Sequence, residues 1–176
     1  MALSRRSFLG LSAAGSLVLA ATGLALFPGK RAPPQGALLT FTESQYSTLV
    51  ALVETVSPGG SGIPSGVELG VAAELDTLFS TLPPENGAEI ALALGLIENA
   101  LVGAIFDARP RPFSRLPLQR RAEIWAGWCT SRIPLRRTVY KGLNALILAT
   151  TWGHPEMTAI AGYPGPPPVL ATRSDP

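Results

Sequence analysis

Apolar residues recur at steps of three and four along most of the chain, which is the spacing of one face of an α-helix. Five segments show this pattern, and they cover residues 42–56, 67–82, 86–106, 114–131 and 135–151. No alternation of apolar and polar residues is long enough to predict a β-strand. The pattern therefore predicts an all-α fold, a single-domain bundle of about five helices that follows an N-terminal signal or anchor helix.

Local sequence signals mark the ends of these helices. Thr42 and Gln45 have the spacing of a capping box at the start of the first helix. The pair at 83–84 (Pro-Pro) ends the second helix, because proline cannot donate within a helix and disfavours helical geometry in its predecessor. Ser114 is predicted to cap the fourth helix, and Pro134 lies near the first turn of the fifth.

The predicted helices differ in how their apolar residues are distributed. The third is apolar nearly all round, which is typical of a central helix packed on several sides. The second is expected to bury Val67, Val71, Leu75, Leu78, Phe79 and Leu82. The fourth is expected to bury Leu118, Ala122, Trp125 and Cys129, and the fifth Tyr140, Leu143, Leu146, Ile147 and Thr150.

The N-terminal segment contains an uncharged run of 20 residues, 8–27, which as a helix would be about 30 Å long and could cross a bilayer. Two adjacent arginines precede it. They belong to an SRRxFL pattern made by Ser4, Arg5, Arg6, Phe8 and Leu9, which resembles a twin-arginine signal, the address that exports folded proteins. The sequence therefore predicts a signal peptide or anchor over residues 1–31 and delivery to the periplasm.

Two points about this segment remain open. The arginines could instead flank a transmembrane helix on its cytoplasmic side, as the positive-inside rule describes. No Ala-x-Ala cleavage site is present, and the sites 21–23 (Ala-Thr-Gly) and 23–25 (Gly-Leu-Ala) are the small-x-small alternatives. The segment is therefore either cleaved or retained, and a retained segment would associate with the inner membrane through residues 8–27.

The rest of the chain is predicted to comprise a linker at 32–41, a helical domain at 42–168 and a disordered tail at 169–176. Charge is segregated along it. Residues 32–108 contain nine acidic residues and no Lys or Arg, whereas residues 109–141 contain nine basic residues and one acid. We expect the two halves to face each other, or the basic half to face an acidic partner. Nucleic acid is not an expected partner of an exported protein.

The chain has a single cysteine, Cys129, which rules out an internal disulfide and a metal site built from clustered cysteines. In an oxidising compartment such a thiol is either buried or paired with another chain, and burial is the commoner outcome.

The sequence predicts no catalytic, cofactor-binding or metal-binding residues. His154 is the sole histidine, no Gly-x-Ser-x-Gly motif is present to supply a nucleophile, and no glycine-rich phosphate loop follows a predicted strand. A surface or capping role is the expectation for His154. Glu74 and Asp76, two residues apart, do not share a helical face and are expected to be solvated charges.

The segment 151–168 (TWGHPEMTAIAGYPGPPP) is apolar and rigid, which suits either a protein interface or a tail that folds back on its own core. This ending, the opening TFTESQYSTLVALVETVSPGG and the stretch FSRLPLQRRAEIWAGWCTSRIPLRRTVYKGLNALI together resemble the gluconate 2-dehydrogenase subunit 3 family. In the family's characteristic ending an aromatic residue, a short helix and a Gly-Tyr-Pro-Gly-Pro motif follow one another, and here these are Trp152, residues 155–161 and residues 162–166.

The resemblance implies a cofactor-free small subunit of a large FAD-dependent dehydrogenase of the glucose-methanol-choline type. The partners it implies are that flavoprotein, the twin-arginine translocase and, as a further candidate, a cytochrome c subunit. The residues expected to bind the flavoprotein are Cys129, Trp152, Tyr163, Pro164, Gly165 and Pro166. Two alternatives are a membrane-anchored helical envelope protein that binds a small apolar ligand or another complex, and an enzyme with an unfamiliar site.

Overall fold

The computed structural model describes residues 30–107 and 111–162, and in this part of the chain the secondary structure is helical with no strand. The helices are α1 (Glu43–Val56), α2 (Val71–Ser80), α3 (Pro84–Glu98), α4 (Ala100–Asp107), α5 (Leu118–Cys129), α6 (Pro134–Gly153) and α7 (Pro155–Ile160), with a 3-10 turn at Phe113–Arg115. The all-α prediction is confirmed. None of the helices in the described ranges combines the length and apolar character needed to cross a membrane.

Helix α1 is the centre of the bundle, since it contacts α2, α3, α5, α6 and the 3-10 turn. The predicted capping box fixes its start: Gln45 N–H donates to Thr42 Oγ1 at 3.3 Å, and Thr42 N–H donates to Gln45 Oε1 at 2.9 Å. Eight of its 14 residues are buried. The most enclosed include Leu49, Leu52 and Val53. The core therefore forms around α1.

The third predicted helix is interrupted at Asn99, which separates α3 from α4. Asn99 leaves the helical conformation with a ψ of 114°, and its side-chain oxygen accepts a hydrogen bond from Val102 N–H at 3.0 Å. It thus ends one helix and caps the next, because its short amide satisfies an N–H in the new first turn. The segment was expected to pack on several sides, and α3 contacts α1, α2, α4 and the 3-10 turn, although its Leu92 is half exposed.

The second predicted helix begins later than expected, at Val71 rather than Val67, because the preceding residues form a turn that ends at Gly70 in a left-handed conformation (φ 76°). It stops at Ser80, before the two prolines, as predicted. Val71, Leu75 and Phe79 are buried as expected. Leu78 and Leu82 are instead exposed, because Leu78 lies on the solvent side of this short helix and Leu82 lies beyond its end.

Ser114 does not cap the fourth predicted helix, because a buried carboxylate binds it instead. Its hydroxyl donates to Glu98 Oε1 at 2.6 Å and its N–H to Glu98 Oε2 at 2.9 Å, which holds it in the 3-10 turn. Helix α5 starts only after Pro117. Its buried residues are Arg121, Ile124, Trp125 and Trp128. Of the predicted stripe Trp125 is therefore confirmed, whereas Leu118, Ala122 and Cys129 are exposed because both tryptophans turn inward.

Helix α6 begins at Pro134, as predicted. Of its expected inner face, Leu143 and Ile147 are buried, while Tyr140 and Leu146 are partly buried against the core. Thr151 takes the buried position expected for Thr150. The residues 155–161 that the resemblance marked as a short helix contain α7.

Residues 30–41, called here the strap, lie against the bundle rather than standing apart as a linker. Asp76 of α2 is 3% exposed, and its carboxylate accepts hydrogen bonds from the backbone N–H groups of residues 39–41. The prediction that Glu74 and Asp76 are both solvated is therefore wrong for Asp76. Residues two apart point to different sides of a helix, so Asp76 faces the body of the protein while Glu74 faces solvent.

Candidate interaction surface

Helix α6 turns an uncharged face toward solvent along nearly its whole length. Six of its exposed residues recur at steps of three and four and form the surface called here the outer face of α6. They are Leu135, Thr138, Gly142, Ala145, Ala149 and Trp152. The end residues are large and half exposed, at 51% for Leu135 and 49% for Trp152. They lie about 25 Å apart along the helix axis. The intervening residues are small, so a partner can approach the helix closely.

Three cations border the N-terminal half of this outer face. Arg132 and Lys141 are exposed, and Arg137 is partly buried and donates to the Ser131 carbonyl at 2.5 Å. Helix α6 contains no Asp or Glu, and its N-terminus adds a partial positive charge. The surface therefore combines apolar residues with positive charge, a composition that complements an apolar patch with an acidic rim.

Aromatic and charged side chains fasten α6 to the rest of the bundle beneath the outer face. The Trp125 ring centroid lies 5.0 Å from that of Tyr140 and 5.6 Å from that of Trp128. Arg136 stacks its guanidinium 4.8 Å from the Trp128 ring centroid and donates two hydrogen bonds of 2.9 Å to the Asp107 carboxylate. Because both members of this ion pair are buried, the contact fixes the rotation of α6 and hence the direction of its outer face.

Oppositely charged residues from the two halves of the sequence pair with each other. Besides the pair between Arg136 and Asp107, Arg121 donates to Glu54 Oε2 at 2.5 Å and to the Ala51 carbonyl at 2.6 Å. The prediction that the two halves face each other is confirmed for these pairs. Within the described residues, the exposed cations Arg132 and Lys141 form no ion pair and are accessible to a partner.

Cys129 is exposed at the C-terminal end of α5, so the expectation that it is buried is wrong. It is the only cysteine in the chain, and its thiol can be reached by another molecule. It lies five residues before the start of α6, whereas Trp152 lies in the last turn of that helix. The two described members of the predicted partner-binding set are therefore separated by the length of α6 and do not form one cluster.

The other predicted site residues fall outside the described ranges. They are Ser4, Arg5, Arg6, Phe8 and Leu9 of the export signal and Tyr163, Pro164, Gly165 and Pro166 of the C-terminal segment. Sequence reasoning missed Leu135 and the small residues of the outer face. The signal that could have found them is an uncharged stripe at helical spacing on the side of α6 opposite the predicted buried residues.

His154 has the capping role predicted for it. It is the N-cap of α7, where its Nδ1 accepts a hydrogen bond from Glu156 N–H at 3.4 Å, and its Nε2 lies 4.0 Å from Glu74 Oε1. Within residues 30–107 and 111–162, no three side chains of His, Cys, Asp or Glu gather into a group that could hold a metal ion.

Two clefts lie away from the outer face of α6. One, of about 320 Å³, is lined by residues 32–35 of the strap, Tyr46, Val50, Val67, Gly70 and Ala72. Burial raises the pKa of Tyr46, a hydrogen bond from the Gln35 backbone opposes this, and the Asp76 charge adds to it. The other, of about 430 Å³, is open to solvent beside Glu68 and Glu156. There the Ser65 N–H and hydroxyl lower the pKa of Glu68.

No family model, no curated protein and no solved structure matches this chain. The resemblance to gluconate 2-dehydrogenase subunit 3 therefore stays a prediction. It rests on the motifs at the two ends of the helical domain and on the stretch that contains α5 and most of α6.

Proposed function

We propose that this chain is the small, non-catalytic subunit of a membrane-associated or periplasmic FAD-dependent dehydrogenase of the glucose-methanol-choline type. In this role it binds the flavoprotein large subunit and carries it through the twin-arginine pathway. The observation that carries the proposal is the outer face of α6, an uncharged surface with half-exposed Leu135 and Trp152 at its ends. An uncharged, largely apolar face of this kind is typical of an interaction site.

The predicted export route supports a carrier role. A flavoprotein must fold around FAD before it leaves the cytoplasm, and the twin-arginine pathway exports folded proteins. A large subunit without a signal of its own would cross the membrane only while bound to this chain. The bundle then holds the partner, and Arg5 and Arg6 supply the address.

The proposed interface has the composition of a protein-binding site. Leu135 and Trp152 serve as apolar anchors, because a few large side chains carry most of the binding energy of an interface. The small residues between them let the partner pack against the helix backbone. Arg132 and Lys141 lie at the rim, where charge steers association with an acidic surface more than it adds affinity.

In the proposed complex the redox chemistry belongs to other chains. Electrons pass from the FAD of the partner to a cytochrome c subunit or a quinone, and this chain contributes no redox group. Its contribution is to hold the flavoprotein and to bring it to the membrane.

Co-isolation tests the proposal directly. The chain is purified from the cell envelope under mild detergent, and the expected result is a yellow, FAD-containing polypeptide in fixed ratio to it. The matched variant replaces Leu135 and Trp152 with alanine and is expected to lose the flavoprotein while the bundle remains folded. Recovery of the wild-type chain alone, from cells that express such a dehydrogenase, would contradict the proposal.

The carrier step has a separate test. Replacing Arg5 and Arg6 with lysines is expected to leave the partner dehydrogenase in the cytoplasm, because the twin-arginine address is lost while the positive charge is kept. Wild-type cells provide the comparison, with the partner measured in periplasmic and cytoplasmic fractions. Normal arrival of the partner in the periplasm would rule out the carrier role but not the complex itself.

The proposal also includes a covalent link between Cys129 and the flavoprotein. The exposed thiol at the end of α5 lies three residues before Arg132, and a partner cysteine could form an intermolecular disulfide with it. The complex is expected to migrate as one band on a non-reducing gel and as two bands for Cys129→Ser. Identical mobility of the two samples would dispose of the link.

The cleft beside Tyr46 favours a second candidate function, a membrane-anchored envelope protein that binds a small apolar ligand. Its volume of about 320 Å³ lies at the lower end of the range for small-molecule sites, and its lining is largely apolar. This candidate predicts an uncleaved N-terminal anchor and a purified protein without a large companion chain. The co-isolation experiment therefore separates the two candidates.

A further inference from the structure

The strap is held at three separate points, and the first lies at its N-terminal end. The Lys30 N–H donates to Ser114 Oγ at 2.8 Å. The same hydroxyl donates to Glu98 Oε1 at 2.6 Å, and the Glu98 carboxylate is 2% exposed. Because the serine is already bound by a buried charge, its oxygen is fixed in position to accept from the strap.

The second point lies two residues further along. The Ala32 N–H donates to Ser47 Oγ at 2.9 Å, and that hydroxyl donates to the Glu43 carbonyl within α1 at 2.7 Å. Ser47 is buried, at 4% exposure. Ser47 thus lies on the side of α1 that faces the strap, and its hydroxyl oxygen accepts the hydrogen bond.

The third point is the strongest. Asp76 Oδ2 accepts from Leu39 N–H at 2.7 Å, and its Oδ1 accepts from Thr40 N–H at 3.1 Å and Phe41 N–H at 2.9 Å. The Thr40 hydroxyl also donates to the Asp76 carbonyl at 2.9 Å. A buried carboxylate that receives three consecutive backbone N–H groups is a charge-assisted anchor for an extended chain.

The groups that bind the strap are distant from one another in sequence. Ser47 belongs to α1, Asp76 to α2, and Glu98 and Ser114 to α3 and the 3-10 turn. The first point, between Lys30 and Ser114, joins residues that are 84 positions apart. These groups come together only when the helices pack, so the binding site for the strap exists only in the folded bundle.

We propose that the folded bundle binds its own strap. Protease access to the start of the strap, where the N-terminal segment joins it, therefore depends on whether the domain is folded. This inference rests on the export signal predicted for residues 1–31 and is independent of any flavoprotein partner. In the folded protein the N-terminal segment leaves the body at a fixed place beside Ser114. In an unfolded chain the strap is released and its backbone becomes accessible.

Limited trypsin digestion of the full-length chain in mild detergent tests the inference. The Arg31 side chain is 81% exposed, so cleavage after it is controlled by opening of the bound backbone rather than by burial of the side chain. As urea is raised, cleavage after Arg31 in the wild type is expected to follow the unfolding transition reported by Trp125 and Trp128 fluorescence.

Two variants remove one anchor each, and a third is the control. Ser47→Ala and Ser114→Ala are expected to speed cleavage after Arg31 about 2- to 10-fold without urea, the effect of one lost hydrogen bond on local opening. Ser80→Ala removes a hydroxyl that bonds only within α2, to the Thr77 carbonyl, and is expected to match the wild type.

Any of three results for cleavage after Arg31 would overturn the inference. They are equal rates for the anchor variants and the wild type, cleavage of native wild type as fast as the urea-unfolded chain, and protection that depends on protein concentration, which would place the strap on a second copy. Cleavage after Arg120 in α5 monitors general stability. If it accelerates as much as cleavage after Arg31 in both anchor variants, the serines act on the whole fold and the inference also fails.

Discussion

Helix α1 buries eight of its 14 residues, whereas α6 buries four of its 20. The few exposed residues of α1 are Glu43, Ser44 and Glu54, all of them polar. The outer face of α6 is uncharged and has Leu135 and Trp152 at its ends. Helix α1 is therefore enclosed by other parts of its own chain, whereas α6 presents a surface whose composition suits contact with another protein.

The largest expected effect is a loss of folding stability from a core substitution in α1. Leu52 of α1 is fully buried, so Leu52→Ala should lower the free energy of unfolding by about 2–5 kcal/mol through lost burial and the cavity left behind. Urea unfolding followed by tryptophan fluorescence would measure it. A loss below about 1 kcal/mol would contradict the central position of α1 in the core.

The same truncation on the outer face should affect binding rather than folding. Leu135→Ala is expected to change the free energy of unfolding by less than about 0.5 kcal/mol, yet to weaken the flavoprotein complex at least about 10-fold. Leu92→Ala is the matched control, because Leu92 is half exposed on α3, away from α6. Titration of the purified partner would measure the affinities, and equal losses for the two variants would remove the distinction between these surfaces.

Reversing a charge beside the outer face should have a smaller effect, mainly on the rate of association. Arg132→Glu is expected to slow association with the flavoprotein about 3- to 10-fold at low salt, with the difference shrinking as salt screens the charges. Stopped-flow measurements at two ionic strengths would show this. An unchanged rate at low salt would mean that the basic border does not face the partner.

The smallest effect is expected from ionisation of the Tyr46 phenol in α1. Burial raises the pKa of Tyr46, so the folded state favours the neutral phenol, while the unfolded chain ionises from about pH 10. Stability should therefore be lost as pH rises above 10. Between pH 9 and 10.5 the wild type should lose up to about 1 kcal/mol more than Tyr46→Phe, measured by urea unfolding. Parallel pH profiles would contradict this expectation.

Signals that act over a few residues predicted the fold well. The capping box of Thr42 and Gln45 and the proline at the start of α6 are local, so the sequence located both helix starts. Periodicity also identified Leu143 and Ile147 on the inner face of α6. The all-α class follows from the same patterns, because the helical spacing is present in every long segment.

Features decided by distant residues could not be read in the same way. Ser114 is a plausible cap until Glu98, in another helix, binds its hydroxyl. Periodicity predicts the buried face of α5 only to within about one residue. The packing of two tryptophans then decides how the helix is rotated. For the candidate surface, the sequence indicated Trp152 and Cys129 but not Leu135, because an apolar residue beside arginines gives no sign of its exposure.

The inward contacts of α6 have an evolutionary consequence. The rotation of this helix is set by Arg136 in its pair with Asp107 and by a few apolar residues on the same side. Substitutions on the opposite side therefore cost little folding stability. Mutations can therefore change which partner that side binds while the fold stays the same, so binding specificity can evolve independently of folding.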